Sequence, residues 1–548
     1  MKKKLLLFFF FTSLFTAANA QEHAWIYLDS KENVANYLAN PLTMLTQRAL
    51  DRRTAQSIAL DVTDVPVTPS YITDISNATG ITYIGASKWL NAIHVTGSQA
   101  NINALATTFT YVDHIEFAND ALNFTGQDSD NDPVDFHSNK FPEETNSIIF
   151  DYGNATNQIE MFNCHKLHED DFTGANRIIA VIDAGFPNVD TNPGFNRIRT
   201  NGQILGGWDF VNDSSNFYTG HSHGSNVLSF IAGYYNGATN YAGSAPDAGF
   251  YLFISEDVSS ETPAEETYWV MAAEQADYFG VDILNTSLGY YTFDDPDYNY
   301  NYNTDLDGNT SFITRGAEIA FSKGMVVVNA AGNEGNNSSW DGRIAMPADG
   351  PNVLTVGAVN SLGNYASFSS RGPTSDSRLK PDVVVQGQGA AYINTGGGVT
   401  SGSGTSYSSP LMAGGVACLW DALPGKTNAE IVQIIKESAS IYATPNFQLG
   451  YGIPDLDQAV LLSLDDVELP VGDFGVYPNP AGNQVTVIFP QQEDVLEYEI
   501  HDILGNRVLN GTVDVNNATL NVSHLSSGLY LANFRGGGVW QTIKLLKQ

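Results

Sequence analysis

Between about Asp151 and Ser463 the chain repeats short, nearly unbroken apolar runs: RIIAVIDAG, GFYLFIS, VDILNTSLG, GMVVVNAAGNEG and NVLTVGAV. Each is followed by a glycine-rich turn and often by a helical stretch. Continuous rather than alternating hydrophobicity marks strands covered on both faces, so the pattern predicts an α/β domain with a parallel sheet flanked by helices. Active residues are then expected at the carboxyl ends of the strands. From His23 to Phe117 the pattern differs. It predicts a strand in HAWIYL, helical material through MLTQRALDRRTAQSIAL and a helix in SYITDISNATG. Strands in ITYIGAS and AIHVTGS, a helix in ANINALATTF and a strand in YVDHIEF follow. Setting aside the first helical insertion, the order is βαββαβ, a small ferredoxin-like α+β unit. From about Val471, alternation in QVTVIF, EYEIHDI and LYLANF predicts a small all-β sandwich.

The remaining segments punctuate these units. The chain opens MKKKLLLFFFFTSLFTAANA, three lysines, a short apolar run and an A-x-A site, which is the pattern of a secretory signal peptide over 1–20. The run is too short to span roughly 30 Å of hydrocarbon. Acidic and proline residues without periodicity, in QDSDNDPVD and FPEE, read as a linker, and so does LLSLDDVELPVGDFG. The expected organisation is therefore signal 1–20, N-terminal unit 21–127, linker 128–149, α/β domain 150–463, linker 464–470 and C-terminal unit 471–548.

Composition narrows the partners. The net charge is −35, and loss of Lys2, Lys3 and Lys4 with the signal leaves 22 basic against 60 acidic residues, a charge of −38. Such a chain repels phosphate backbones and anionic bilayers, so neither nucleic acid nor membrane insertion is expected. Two cysteines, Cys164 and Cys418, are too few for a disulfide framework, and a structural cysteine zinc site is excluded by count. Cys418, in GGVACLW, reads as a small buried helix residue.

Four strand-end motifs carry chemistry. Asp183 ends the run in VIDAG, where a carboxylate can orient an imidazole, although a turn-capping Asp is the commoner role. His223 opens HGSNV. It is preferred over His221 because a glycine and a small hydroxyl residue follow it at a helix entry. Ser406, in GTSYSSP, stands at a helix N-terminus whose free N–H groups can also hold an oxyanion; the plain alternative is an N-cap serine. Asn333, in AAGNEG, can aim its amide at the same oxyanion. Asn285 in NTSLG follows a strand, and Ser287, Leu288 and Gly289 can pair with an extended substrate by backbone.

Taken together, in the order Asp183, His223, Asn333, Ser406, and with FSSRGP and KPDV between Phe368 and Val383, the stretch from about Asp151 to Ser463 resembles the subtilases. The resemblance implies a subtilisin-like sheet and a secreted serine endopeptidase. It makes Asp183, His223 and Ser406 the catalytic triad, with His223 as general base and then acid, and gives Asn333 and the Ser406 N–H the oxyanion. The N-terminal unit resembles the subtilase propeptide, an intramolecular inhibitor. The tail, with VYPNPAGNQ, HDILGNRV and SSGLYLANF, looks like a type IX secretion sorting domain of Bacteroidetes, implying passage through the periplasm to the cell surface or medium. Ser225, Asn226, Leu228, Ser229 and Tyr407 depart from the usual family residues and put specificity, rather than mechanism, in question.

No cofactor is expected to be required. In NTDLDGNT, Asn303, Asp305, Asp307 and Gly308 match half a calcium loop, but Thr314 stands where an EF-hand needs a carboxylate. The loop reads first as a solvated acidic turn and second as a structural calcium site. An α/β-hydrolase esterase needs G-x-S-x-G and the order Ser, acid, His, and this chain has neither. A surface adhesin on a retired protease fold has no reason to keep all four reacting groups. Protein or peptide substrates are expected, with cleavage specificity set by loops.

Overall fold

A computed structural model describes residues 21–123, 150–236 and 239–465, and most of 475–547. The signal peptide, the linker over 128–149 and most of the linker over 464–470 lie outside the described residues.

The α/β domain is built on a seven-stranded sheet whose strands pair in parallel. In spatial order these are Val383–Gln386, Leu354–Val359, Val326–Ala330, Ile283–Thr286, Ile178–Asp183, Gly249–Ile254 and Ile204–Asp209. The unbroken apolar runs divide their side chains between two cores. Ile179, Val181 and Val328 face one layer with helices Cys164–Glu169, His223–Ala232, Thr405–Ala422 and Asn428–Glu437. Ala180, Ile182 and Val327 face the other, with helices Ala264–Phe279 and Phe312–Ser322. Burial of both faces is why these strands show no polar alternation. Helix Leu456–Asp465 runs two residues past the expected boundary at Ser463.

The N-terminal unit is an antiparallel four-stranded sheet in the order Ile81–Ser87, Ala92–Gly97, Glu22–Leu28, Val112–Phe117, with helices Pro69–Ser76 and Gln99–Thr108, as the βαββαβ pattern predicts. Its sheet packs on helices Ala264–Phe279 and Phe312–Ser322. Trp25 donates from Nε1 to Thr267 Oγ1 at 2.9 Å and stacks on Phe312 with ring centroids 4.8 Å apart. Glu274 accepts from Ser87 Oγ at 2.6 Å and from Trp89 N at 3.0 Å, and Arg315 grips Glu116 through two bonds of 2.6 and 3.0 Å. The inserted helix Gln47–Ala55 carries Arg52 and Arg53 onto the buried carboxylate of Asp277.

The C-terminal unit is a sandwich of one three-stranded and one four-stranded sheet. Val485, Val487 and Leu520 of the first meet Leu496, Ile500 and Phe534 of the second in a single core. Among the described residues no helix is long and apolar enough to cross a membrane.

Candidate active site

Asp183 is the last residue of strand Ile178–Asp183 and is fully buried. The chain then folds back so that Phe186 N donates to Thr219 O at 2.8 Å and His221 N to Ala184 O at 2.9 Å. This contact delivers His223 to the start of its helix. Gly224 is needed there, because a Cβ at that position would lie 2.9 Å from the Asp183 Cβ and 2.4 Å from the Gly185 carbonyl oxygen. With the helix this close, His223 Nδ1 donates to Asp183 Oδ1 at 2.7 Å, an oxygen that also accepts from Ala184 N at 2.8 Å. A carboxylate only accepts, so Nδ1 carries the hydrogen and Nε2 is the nitrogen left to take a proton. His221 is exposed and merely accepts from His223 N at 3.3 Å. The geometry thus selects His223 of the two histidines.

Ser406 is the second residue of helix Thr405–Ala422, beside the free N–H groups of its first turn. A Cβ on Gly404 would come within 2.9 Å of Ser406 Oγ and 3.8 Å of Asn333 Oδ1, which puts the serine and the asparagine around one glycine. Asn333 Oδ1 accepts from Thr405 N at 2.9 Å and from Thr405 Oγ1 at 3.2 Å. That fixes the amide plane and turns Nδ2 away from Thr405, on a residue otherwise exposed. Thr405 is itself held by Gly332 N, 3.1 Å from its hydroxyl. Thr405 belongs to the GTSYSSP motif, but sequence alone did not mark it as the residue that orients Asn333.

The segment expected to pair with substrate lies alongside. Ser287 donates from Oγ to the Ser406 carbonyl at 3.1 Å, Leu288 is half-buried and Gly289 is exposed. Asn285 departs from expectation. It is inside strand Ile283–Thr286 rather than after it, fully buried, with Oδ1 accepting from Ser409 Oγ at 3.1 Å. Its side chain is thereby tied to helix Thr405–Ala422.

Three of the unusual family positions, Ser225, Ser229 and Tyr407, are tied into the fold by hydrogen bonds and ring packing. Ser225 donates to the Pro187 carbonyl at 2.8 Å. Ser229 donates to Asn226 O at 2.7 Å and accepts from Ile393 N at 3.0 Å, tying the histidine helix to the hairpin Gln388–Ser403. Tyr407 packs on Phe230 and Tyr392, with ring centroids 4.7 and 5.2 Å away.

Glu256 carries no sequence motif, yet its charge reaches the triad. It accepts from Tyr290 Oη at 2.7 Å. Burial, with the Asp183 carboxylate adding to it, raises its pKa to about 7. Burial disfavours charge on His223, but the Asp183 carboxylate and its hydrogen bond outweigh that, Glu256 adds to them, and the His223 pKa is raised above 6.5. A base must be neutral to accept the serine proton, so a raised pKa widens the range in which it is blocked. The acid limb of kcat/KM should therefore fall above pH 6.5, and Glu256→Gln should move it to lower pH. A pH profile whose limb stays in place or rises in this variant would show that Glu256 does not act on His223.

Among the described residues, two groups of side chains bring three ligand-bearing atoms close together: Glu256, Glu261 and Glu265, and Cys164, His168 and Cys418. The NTDLDGNT loop is not one of them. Asp307 Oδ1 accepts from Asn309 N and Thr310 N at 2.8 and 2.7 Å, and Asp305 Oδ2 from Asn301 N at 2.6 Å, in the manner of an acidic turn.

Comparison with known proteins identifies the family of each segment. Residues 174–452 match the subtilase family, 23–133 the peptidase S8 propeptide domain of Bacteroidota, and 475–548 the secretion system C-terminal sorting domain. The chain is 32% identical over 303 residues to subtilisin of Bacillus pumilus, covering 55% of this chain and 97% of that one. Subtilisin E of Bacillus subtilis (strain 168) gives the same identity over the same length and 70% of its chain. A thermophilic serine proteinase of Bacillus sp. (strain AK1) is 32% identical over 276 residues, 50% of this chain and 59% of that one. The chain belongs to the subtilase family: it is a subtilisin-like serine protease with an S8 propeptide domain and a secretion sorting tail that directs it to the cell surface or beyond.

Proposed function

We propose that this protease cleaves internal peptide bonds of proteins through an acyl-enzyme on Ser406. His223 Nε2 takes the Ser406 proton as Oγ attacks the peptide carbonyl, then returns it to the leaving amine; water repeats the sequence to release the acid. Asp183 holds the imidazole with Nε2 free and stabilises its charged form. Asn333 Nδ2 and the Ser406 N–H stabilise the oxyanion, and Ser287, Leu288 and Gly289 guide the extended substrate. Two observations carry this reading: the 2.7 Å bond from His223 Nδ1 to Asp183, and the placing of Ser406 Oγ and Asn333 around Gly404. No step needs a cofactor. A calcium ion at NTDLDGNT, if bound, serves stability alone.

The N-terminal domain acts as an intramolecular inhibitor until it is cut off. In support, Arg52 and Arg53 neutralise the buried Asp277, and Trp25, Tyr27 and Trp89 join the core around Trp269. An interface with buried ion pairs and shared aromatics suits a domain that docks before cleavage. The expected cleavage region, between Phe117 and Asp151, falls mostly outside the described residues.

The tail supplies an address and takes no part in the chemistry. Truncation after Ser463 should leave a protease that still cuts an unstructured protein at internal bonds but is trapped in the periplasm. Cell fractionation with an activity assay checks this. Truncated activity outside the cell at the full-length level would contradict the sorting role, and release of single terminal residues only would contradict the endopeptidase reading.

A further inference from the structure

Away from the triad, the two cysteines meet a histidine. Cys164 and His168, four residues apart on one face of helix Cys164–Glu169, point at Cys418 in the middle of helix Thr405–Ala422. All three are buried, with exposures of 0%, 1% and 0%. A fourth atom joins them, the carbonyl oxygen of Ser244. It lies 3.0 Å from His168 Nε2, 3.1 Å from Cys418 Sγ and 3.5 Å from Cys164 Sγ. His168 Nε2 is 3.5 Å from Cys418 Sγ and 3.8 Å from Cys164 Sγ.

We propose that Cys164, His168, Cys418 and the Ser244 carbonyl oxygen form a structural zinc site that ties the start of the catalytic domain to the nucleophile helix. Three of the separations, 3.5, 3.5 and 3.8 Å, are those of a coordination tetrahedron, and the two shortest, 3.0 and 3.1 Å to the Ser244 oxygen, would lengthen by a few tenths of an ångström on binding. Bonds of about 2.3 Å to sulfur and 2.0–2.2 Å to nitrogen and oxygen give edges of roughly 3.3–3.8 Å. The five measured edges run from 3.0 to 3.8 Å.

Hydrogen bonding satisfies this cluster only with its weakest acceptor. With Nε2 protonated, the two lone pairs of the carbonyl oxygen take two of the three donors, the imidazole N–H and two thiols, and the remaining thiol is left to a neighbouring sulfur, a weak acceptor. With Nδ1 protonated, the Nε2 lone pair faces the carbonyl lone pairs at 3.0 Å. A cation replaces the weak thiol contact in the first case and the repulsion in the second. On binding, the two thiols release their protons, and Nδ1 carries the imidazole hydrogen. That hydrogen is then donated to Tyr152 Oη, 2.7 Å away, the kind of outer partner that fixes a metal-bound histidine. Two thiolates and a divalent ion sum to zero charge, which a fully buried site requires, whereas a monovalent ion would leave a net negative charge there.

The count of two cysteines led to the expectation of no structural cysteine zinc site, an expectation this proposal reverses because a count does not see His168 or the Ser244 carbonyl. Cys418 stands twelve residues beyond Ser406 on the same helix, roughly 18 Å at 1.5 Å per residue, so the ion is structural. A surface pocket lined by Tyr152, Glu160, His165 and His168 offers a way in.

The test is metal and thiol analysis of the secreted enzyme, purified without reductant in zinc-containing buffer and then desalted. Elemental analysis and native mass spectrometry should find one zinc per chain, with both thiols reactive once the protein is unfolded in chelator. Cys164→Ser and His168→Gln should lose the zinc and melt earlier, while kcat/KM at low temperature is retained. A chain lighter by two hydrogens and without zinc would mean a Cys164–Cys418 disulfide and overturn the proposal. Two free thiols without zinc, or zinc that survives both substitutions, would overturn it as well. The wild-type zinc content decides the matter even if the variants fold poorly.

Discussion

Ser406→Ala should give a folded, exported protein that has lost proteolysis on the order of 10⁶-fold, a magnitude carried over from subtilisin on the strength of the shared family. The substitution removes one oxygen from a residue 9% exposed at a helix start, where alanine suits the backbone. Stability should therefore change little while the attacking atom disappears. If maturation is autocatalytic, the N-terminal domain stays attached, because the chain can no longer cut itself. Its docking on Thr267, Glu274 and Asp277 would then be retained in the purified protein. Protein-substrate assays and N-terminal sequencing check both parts. Near-normal turnover would show that another residue is the nucleophile.

Asn333→Ala should lower kcat on the order of 10²–10³-fold with KM little changed, again by carry-over from subtilisin. The argument here rests on orientation. Thr405 N and Oγ1 hold Oδ1, at 2.9 and 3.2 Å, so Nδ2 is the atom free to face the carbonyl under attack. Charge on that oxygen develops only as the tetrahedral species forms, so the donor acts on the transition state more than on bound substrate. Alanine also deprives Thr405 of its acceptor, and Asn333→Asp separates the two effects. It keeps the acceptor but places a negative charge where a donor stood, so it should be at least as inactive. A raised KM at unchanged kcat, or an active Asn333→Asp enzyme, would place Asn333 outside the oxyanion site.

What the sequence disclosed was what depends on neighbours along the chain. The doubly covered strands were legible because burial on both faces leaves an unbroken apolar run, as in IIAVID; Asp183 ends such a run and Asn333 follows one, whereas His223 and Ser406 were marked by the glycine and small residues of helix entries. The inserted helix was read too long, over Met44 to Leu60. It runs only Gln47–Ala55, because Thr46 caps it and Ser57 takes a positive φ of 56°. Asn285 was misplaced for a similar reason: the strand extends to Thr286, so the residue is held within it and buried. Contacts made across the fold left no local trace. Glu256 acts on His223 only because the loop after strand Gly249–Ile254 meets the end of strand Ile178–Asp183, where Ser255 N donates to the Asp183 carbonyl at 3.2 Å, and Thr405 orients Asn333 across 72 positions. Cys164, His168 and Cys418 come from two helices far apart in sequence, which spacing rules do not see.

The most direct measurement is to treat the secreted enzyme with a fluorophosphonate and map the adduct by peptide mass spectrometry. A serine reacts fast with such a reagent only when a base takes its proton and donors receive the developing oxyanion, so one experiment reports the whole constellation. The account predicts a single adduct on Ser406, complete loss of proteolysis in step with labelling, and labelling abolished in His223→Ala. An adduct on a neighbouring hydroxyl such as Ser403 or Ser408, or full proteolytic activity in protein that takes up no reagent, would contradict it.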